Sequence, residues 1–222
     1  EAETKAWQKL ISVLTHEIMN SIAPIISLSE TLAEREIDEG NDSEGYRVMK
    51  QAMETIHRRS RGLLSFVENY RKLTRLPQPS LQPIAIRPML SSLQQLTSTY
   101  GIAFSFKVYP EQLILKADKD MMEQLLLNLL KNAKEACEGI DAPKIEIWAE
   151  HVGDSIQITV SDNGQGIAPE ALDKIFIPFY STKAKGSGIG LSLCRQIVTR
   201  HRGKMSVQSD NHGTRFLVEF PE

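Results

Sequence analysis

The sequence predicts two regions of different architecture. A hairpin of two long helices over residues 1–76 should pair with a second copy as a dimeric four-helix bundle. An α/β sandwich should follow over residues 83–222. Three observations carry this reading. Apolar residues in the first region recur at spacings of three and four. Short runs in the second region alternate apolar and polar residues. Pro77 and Pro79 stand between the two patterns.

The second helix of the hairpin has the cleaner pattern. Tyr46, Met49, Met53, Ile56, Ser60, Leu63, Val67 and Tyr70 form a heptad seam with one polar member, the mark of helices packed in a bundle or coiled coil. The first helix carries Trp7, Ile11, Leu14 and Ile18 at the same spacings. Its register then slips by one residue to Ile22, Ile25, Leu28 and Leu32, beside Pro24. A proline removes a backbone donor and crowds the preceding turn, so a local bend is expected there. Asp38-Glu39-Gly40-Asn41-Asp42-Ser43 supplies a glycine stop and capping residues between the helices. A two-helix hairpin has no second layer against which to bury its stripe, whereas two copies make a four-helix bundle. A homodimer is therefore expected.

After Pro77 and Pro79 the second helix cannot continue. The segment 77–82 reads as a linker, and Arg71–Gln82 is the candidate hinge. Apolar helical stretches at about 86–99, 118–138 and 188–202 are mixed with strand-like runs. These are Lys144–Trp148, Ser155–Val160, Met205–Val207 and Phe216–Phe220. Each strand has one face to bury, and the helices supply the cover.

The composition narrows the function classes. A net charge of -2 gives no basic excess for nucleic acid. No apolar run approaches the ~20 residues of a membrane helix, so membrane attachment is expected only through a preceding region. Cys137 and Cys194 fall in apolar helical patterns and read as buried thiols of a reducing compartment.

Three residues on the first helix stand apart. At about 100° per residue, Asn20 lies about 40° and Glu17 about 100° from His16, while the apolar seam lies at roughly 160–220°. His16 thus points away from the bundle core, as do Val13, Ala23 and Ser27. An exposed imidazole is a nucleophile when a base holds its other proton, which Glu17 is placed to do. Asn20, one turn on, could position a water. On its own, His-Glu-x-x-Asn also reads as a solvated polar face.

The second region offers further chemistry. Asn128 and Asn132 share one edge of a helix otherwise rich in leucine. Amides in such a place need polar partners or a ligand, and an Asn carbonyl is a suitable Mg²⁺ ligand. Lys131 and Lys134 are cations nearby, or simply solvated helix lysines. Asp162-Asn-Gly164-Gln-Gly166 follows a strand; the aspartate could accept from an exocyclic amine such as adenine N6, and the glycines let backbone pass close to a flat ring. Gly186-Ser187-Gly188-Ile-Gly190-Leu191 runs straight into an apolar helix, where backbone N–H groups form an anion site. The stretch 177–187 before it carries Lys183 and Lys185 and reads as a lid over phosphates, anchored by Phe176 and Phe179.

In order and combination these pieces resemble the transmitter core of two-component sensor histidine kinases over essentially the whole chain. Ser12–Asn20 resembles the H-box, Asn128–Ala136 the N-box, Asp162–Gly166 the G1 box, Phe176–Phe179 the F-box and Gly186–Leu191 the G2 box. The wording around His16 and Phe179–Lys183 is most similar to the NtrY/NtrB-like subgroup. The resemblance implies a dimerisation and phosphotransfer hairpin over 1–76 and a catalytic domain of the Bergerat (GHKL) type over 83–222. It implies His16 as phospho-acceptor, Glu17 as its acid/base partner and Asn20 as the amide used in dephosphorylating the regulator. It implies ATP and Mg²⁺ as cofactors, Asn132 as metal ligand with Asn128 nearby, and Asp162 as reader of adenine. Gly164, Gly166, Phe179, Lys183, Lys185, Gly186, Ser187, Gly188, Gly190, Leu191 and Lys131 would line the nucleotide. The implied partners are a second copy and the receiver domain of a response regulator, and the implied place is the cytoplasmic part of an inner-membrane sensor. Ser21 stands where the H-box often has proline, so the bend should fall one turn later, at Pro24. Rival readings are a Bergerat-type ATPase without phosphotransfer and a nucleotide-binding scaffold.

Overall fold

A computed structural model describes residues 18–31, 43–74, 76–183, 186 and 188–222. The chain divides into two compact units, Glu1–Thr74 and Arg75–Glu222. Among the described residues, no helix is long and apolar enough to cross a membrane.

In the first unit, residues 18–31 form helix α1, and α2 spans Ser43–Thr74. Trp7, Ile11, Leu14 and Leu32 of the predicted stripe lie outside the described residues. Helix α1 continues on both sides of Pro24, and Ile22, Ile25 and Leu28 are half-buried, in the shifted register. Ala23 and Ser27 are exposed. The seam of α2 divides into two flanks. Met49, Ile56 and Leu63, spaced by sevens, are half-buried. Tyr46, Met53 and Val67, at the alternate positions, stay 66%, 58% and 40% exposed, with Leu64 beside them at 59%.

The second unit begins with β1 (Gln82–Ala85), α3 (Ile86–Ser98), β2 (Ser105–Tyr109), β3 (Ile114–Ala117) and α4 (Lys119–Ala136). It continues with β4 (Ile145–Val152), β5 (Ser155–Asp162), α5 (Pro169–Leu172), α6 (Gly190–Arg200), β6 (Lys204–Asp210) and β7 (Gly213–Pro221). Strands β1 and β3 pair antiparallel as a small separate ribbon. The main sheet has the order β2-β4-β5-β7-β6, antiparallel except for the β2–β4 pair.

Alternation along the strands sorts their side chains. Ile145, Ile147 and Ala149 of β4, Ile156, Ile158 and Val160 of β5, and Phe216, Val218 and Phe220 of β7 are all buried. They face α4 and α6, which pack on that side. The opposite face carries Trp148, beside which Lys107 places its ammonium 5.4 Å from the ring centroid. Among the described residues of this unit, this is a two-layer α/β sandwich with helices on one sheet face.

Helix α4 is the centre of the core. Asp118 caps it by accepting from the Met121 amide. Met122, Leu125, Leu126, Leu129 and Leu130 are fully buried, each worth about 1.5–3 kcal/mol in area terms. Cys137 and Cys194 are buried free thiols, and burial pushes both upward from the usual thiol range.

Candidate functional site

Asn128, Asn132 and Glu135 follow one another along α4 at steps of four and three, hence on one face. Both asparagines are half-buried. Three separate loops come down on this part of the helix.

The first loop follows β5. Asp162 ends the strand, and its Oδ1 accepts from the Gly164 amide at 2.9 Å. Gln165 donates its amide to the Ala136 carbonyl at 3.0 Å, which ties the loop to the C-terminal end of α4. Gly164 lies so close that a Cβ there would meet the Ala136 backbone. Gly166 has φ +72°, and a Cβ would collide with the Asp210 carbonyl. Asn163 secures the turn from below, accepting from the Lys144 amide and donating to the Ala142 carbonyl. Desolvation raises the Asp162 carboxyl above its usual value; the Gly164 amide and the Lys183 charge oppose this only in part.

The second is the glycine turn that starts α6. Gly190 stands against Asn128: a Cβ there would lie 3.5 Å from its Oδ1. Helices α4 and α6 run in opposite directions here. The Cys194 thiol points to the Leu125 carbonyl at 3.7 Å.

The third is the segment after α5. Phe179, at φ +64°, donates its amide to the Gly188 carbonyl at 2.9 Å, and Gly188, at φ +66°, backs onto the Phe179 backbone. That bond pins the neck of the predicted lid. Arg195 of α6 places its guanidinium 5.2 Å from the Phe176 ring. Lys183 reaches α4, with Nζ 2.6 Å from Glu135 Oε2.

Asn128, Asn132, Asp162, Gly164, Phe179, Lys183, Gly188 and Gly190 are thus gathered around the C-terminal two-thirds of α4. Gly166 lies behind, against Asp210. Lys131 is exposed, and Lys134 donates to the Tyr100 carbonyl instead. Gly186 is exposed and Leu191 half-buried. Lys185 and Ser187 lie outside the described residues, and so do His16 and Glu17. Asn20 is exposed on α1, as expected. Glu135 was missed by sequence reading, although its place seven residues after Asn128 marks it as a member of the same face. A surface hollow of about 330 Å³, lined by Asp154, Ser155, Arg202, Lys204, Glu219 and Pro221, lies at the opposite end of the sheet.

Comparison with known proteins gives the family. Residues 117–222 match the family described as "Histidine kinase-, DNA gyrase B-, and HSP90-like ATPase". The catalytic domain of the histidine kinase ThkA is 31% identical, with a TM-score of 0.58 over 64% of this chain and 95% of that one. The chain belongs to the sensor histidine kinases. A putative sensor histidine kinase, NtrY-like, of Rickettsia conorii is 30% identical over 207 residues, 91% of this chain and 34% of the relative. ZraS of Escherichia coli is 32% identical over 232 residues, 99% of this chain and 48% of the relative. The chain therefore spans between a third and a half of the length of these sensor kinases. A structure of ThkA with the response regulator TrrA has the same fold, at a TM-score of 0.67 and 24% identity over 99% of this chain.

Proposed function

We propose that this chain is the core of a sensor histidine kinase that moves the γ-phosphoryl group of Mg-ATP to His16 and then to an aspartate of a response regulator. The observation that carries the reading is the convergence on α4. Gly190 approaches Asn128, Lys183 meets Glu135, and the Asp162–Gly164 turn binds Ala136. Residues scattered over more than sixty positions of sequence make one polar, glycine-lined face.

The chemistry of that face suits a nucleotide. Asp162 is a hydrogen-bond acceptor held by the Gly164 amide, suited to an exocyclic amine. Gly164 leaves the room beside Ala136 that a side chain would fill. The α6 N-terminus presents backbone N–H groups to an anion. Among the described residues no cluster of three acidic, histidine or cysteine side chains could hold a metal unaided. Asn132 would hold Mg²⁺ through its amide oxygen, together with phosphate oxygens of the nucleotide. Mg²⁺ held there would neutralise charge on the phosphates.

In the transfer, the bond from the γ-phosphorus to the bridging oxygen breaks, a bond to a His16 ring nitrogen forms, and ADP leaves. Glu17 holds the proton on the other ring nitrogen. The exposed flank of α2 supports dimerisation through the hairpin. Asn20 would orient the water that removes phosphate from the regulator, giving the chain phosphatase activity as well. The hairpin over 1–76 would carry dimerisation and phosphotransfer, 77–82 the hinge, and 83–222 nucleotide binding.

Incubation with γ-labelled ATP and Mg²⁺ tests this. The label should stay on the protein, survive alkali, be lost in acid and be absent from His16→Gln. Release of phosphate without protein label, or label that persists in His16→Gln, overturns the reading.

A further inference from the structure

The two helices that carry the nucleotide face are fastened at their far ends. The Asp118 backbone N–H donates to His201 Nε2 at 3.0 Å. The other ring nitrogen, Nδ1, is 2.8 Å from the Ile197 carbonyl and so must be the donor there. Both bonds together fix one neutral tautomer. His201 is buried and edge-on to Phe220, at 6.0 Å between ring centroids. It caps the end of α6, and Asp118 caps the start of α4.

The same aspartate has a third task. Its Oδ1 accepts from the Met121 amide at 3.1 Å and its Oδ2 from the Ser80 amide at 2.8 Å. Ser80 belongs to the segment that leads into β1. One residue therefore joins that segment, the first turn of α4 and, through His201, the last turn of α6.

The contacts between the helices keep step from this end to the nucleotide face. Asp118 meets His201; seven residues along α4 and seven back along α6, the Leu125 carbonyl meets Cys194. Three further along one and four back along the other, Asn128 meets Gly190. Close-packed helices transmit displacement because their interiors do not compress. A shift at the Asp118–His201 end can therefore be carried along this packed seam to Asn128 and Gly190.

We propose that Asp118 and His201 are a positioning pair: from the remote end of α4 and α6 they set the spacing of the nucleotide face. The proposal rests on the nucleotide-binding reading above. Neither residue touches the ligand; both act through the helices.

Two substitutions separate positioning from bulk. His201→Leu keeps most of the volume but leaves the Asp118 amide without an acceptor. His201→Gln keeps an oxygen where Nε2 stood. Binding of Mg²⁺ with adenylyl imidodiphosphate to the full chain is measured well below the melting temperature of each variant. His201→Leu should bind at least about five-fold more weakly, and His201→Gln within about two-fold of the parent. Unchanged affinity in His201→Leu, or equal weakening in both variants, overturns the proposal. Failure of the parent to bind defeats the nucleotide reading itself, so the two failures are distinct.

Should His201→Leu not fold, hydrogen exchange of the parent decides the matter. Coupling between sites is reciprocal. Adding Mg²⁺ and the nucleotide should slow exchange of the Asp118 amide several-fold more than that of amides in β2, at the sheet edge. Equal slowing in the two places overturns the pair.

Discussion

Lys183 and Glu135 close an ion pair of 2.6 Å between the segment that follows Phe179 and the helix that carries both asparagines. Both side chains are partly exposed, so the pair itself contributes only about 0–1 kcal/mol. Its interest lies in competition, because a lysine held by a carboxylate must leave it to meet a phosphate. Glu135→Gln should tighten Mg-ATP binding about three-fold, and Lys183→Met should weaken it about ten-fold, in keeping with a charge-assisted hydrogen bond. Titration calorimetry on the two variants checks both signs; weaker binding in Glu135→Gln would show that the carboxylate has another task.

Two aspartates of the second unit should respond to pH in opposite ways. Burial pushes the Asp118 carboxyl up, but the Met121, Ser80 and Asp120 amides and the nearby His201 together outweigh it and hold the group below its usual value. Its contribution to stability is present above the unfolded value of 3.8 and is lost as pH falls through the lower folded value. For Asp162, desolvation wins and the folded value lies above 3.8. Its ionisation costs stability once pH rises through that folded value. Asp118→Asn should therefore melt below the parent at neutral pH, and Asp162→Asn level with it or above. Both differences should shrink in acid. Thermal melts across a pH series read this directly. Asp162→Asn should at the same time lose nucleotide binding, a trade of function for stability.

Two glycines should not accept even a methyl group. At Gly166 an alanine would combine a positive φ with a collision against the Asp210 carbonyl, and at Gly188 against the Phe179 backbone. Backbone cannot move aside as a side-chain tip can. Gly166→Ala should cost about 2 kcal/mol or more and lower the melting temperature by about 4–8 °C. Gly188→Ala, at the neck of a surface loop, should cost less stability but abolish nucleotide binding. Melting curves paired with binding measurements distinguish the two.

Charge on the exposed flank of α2 should separate a dimer. Met53→Lys and Val67→Lys place two cations on the bare side of the seam, where large apolar residues would otherwise meet a second copy. Light scattering after gel filtration should give twice 25.0 kDa for the parent and 25.0 kDa for the double variant. A parent of single mass would leave the hairpin seam without a partner of its own kind.

The sequence was most legible where chemistry and pattern are local. The helices read at about 86–99, 118–138 and 188–202 are found at Ile86–Ser98, Lys119–Ala136 and Gly190–Arg200. The antiparallel core strands were recognisable from alternation, each somewhat longer in the structure. Strands β1, β2 and β3 escaped notice. β1 contains Pro83 and buries only Ile84, and β3 buries only Leu115 and Ala117. β2 pairs in parallel with a strand forty residues away, which no local turn announces. The same distance hid the partner of Lys183 and the pairing of Asp118 with His201. The residue types were visible in the sequence, but which pairs would meet depended on the antiparallel packing of α4 on α6.

Alternation along β4, β5 and β7 sends every second side chain toward the helices and the rest toward the opposite face. A chain so built can vary one half of each strand while the other half stays fixed. Replacements at Trp148, Thr159 or Leu217 change what the outer surface offers its surroundings and leave Ile147, Ile158 and Phe216 where they are. The outer surface of such a molecule can drift while its helix-covered interior stands still.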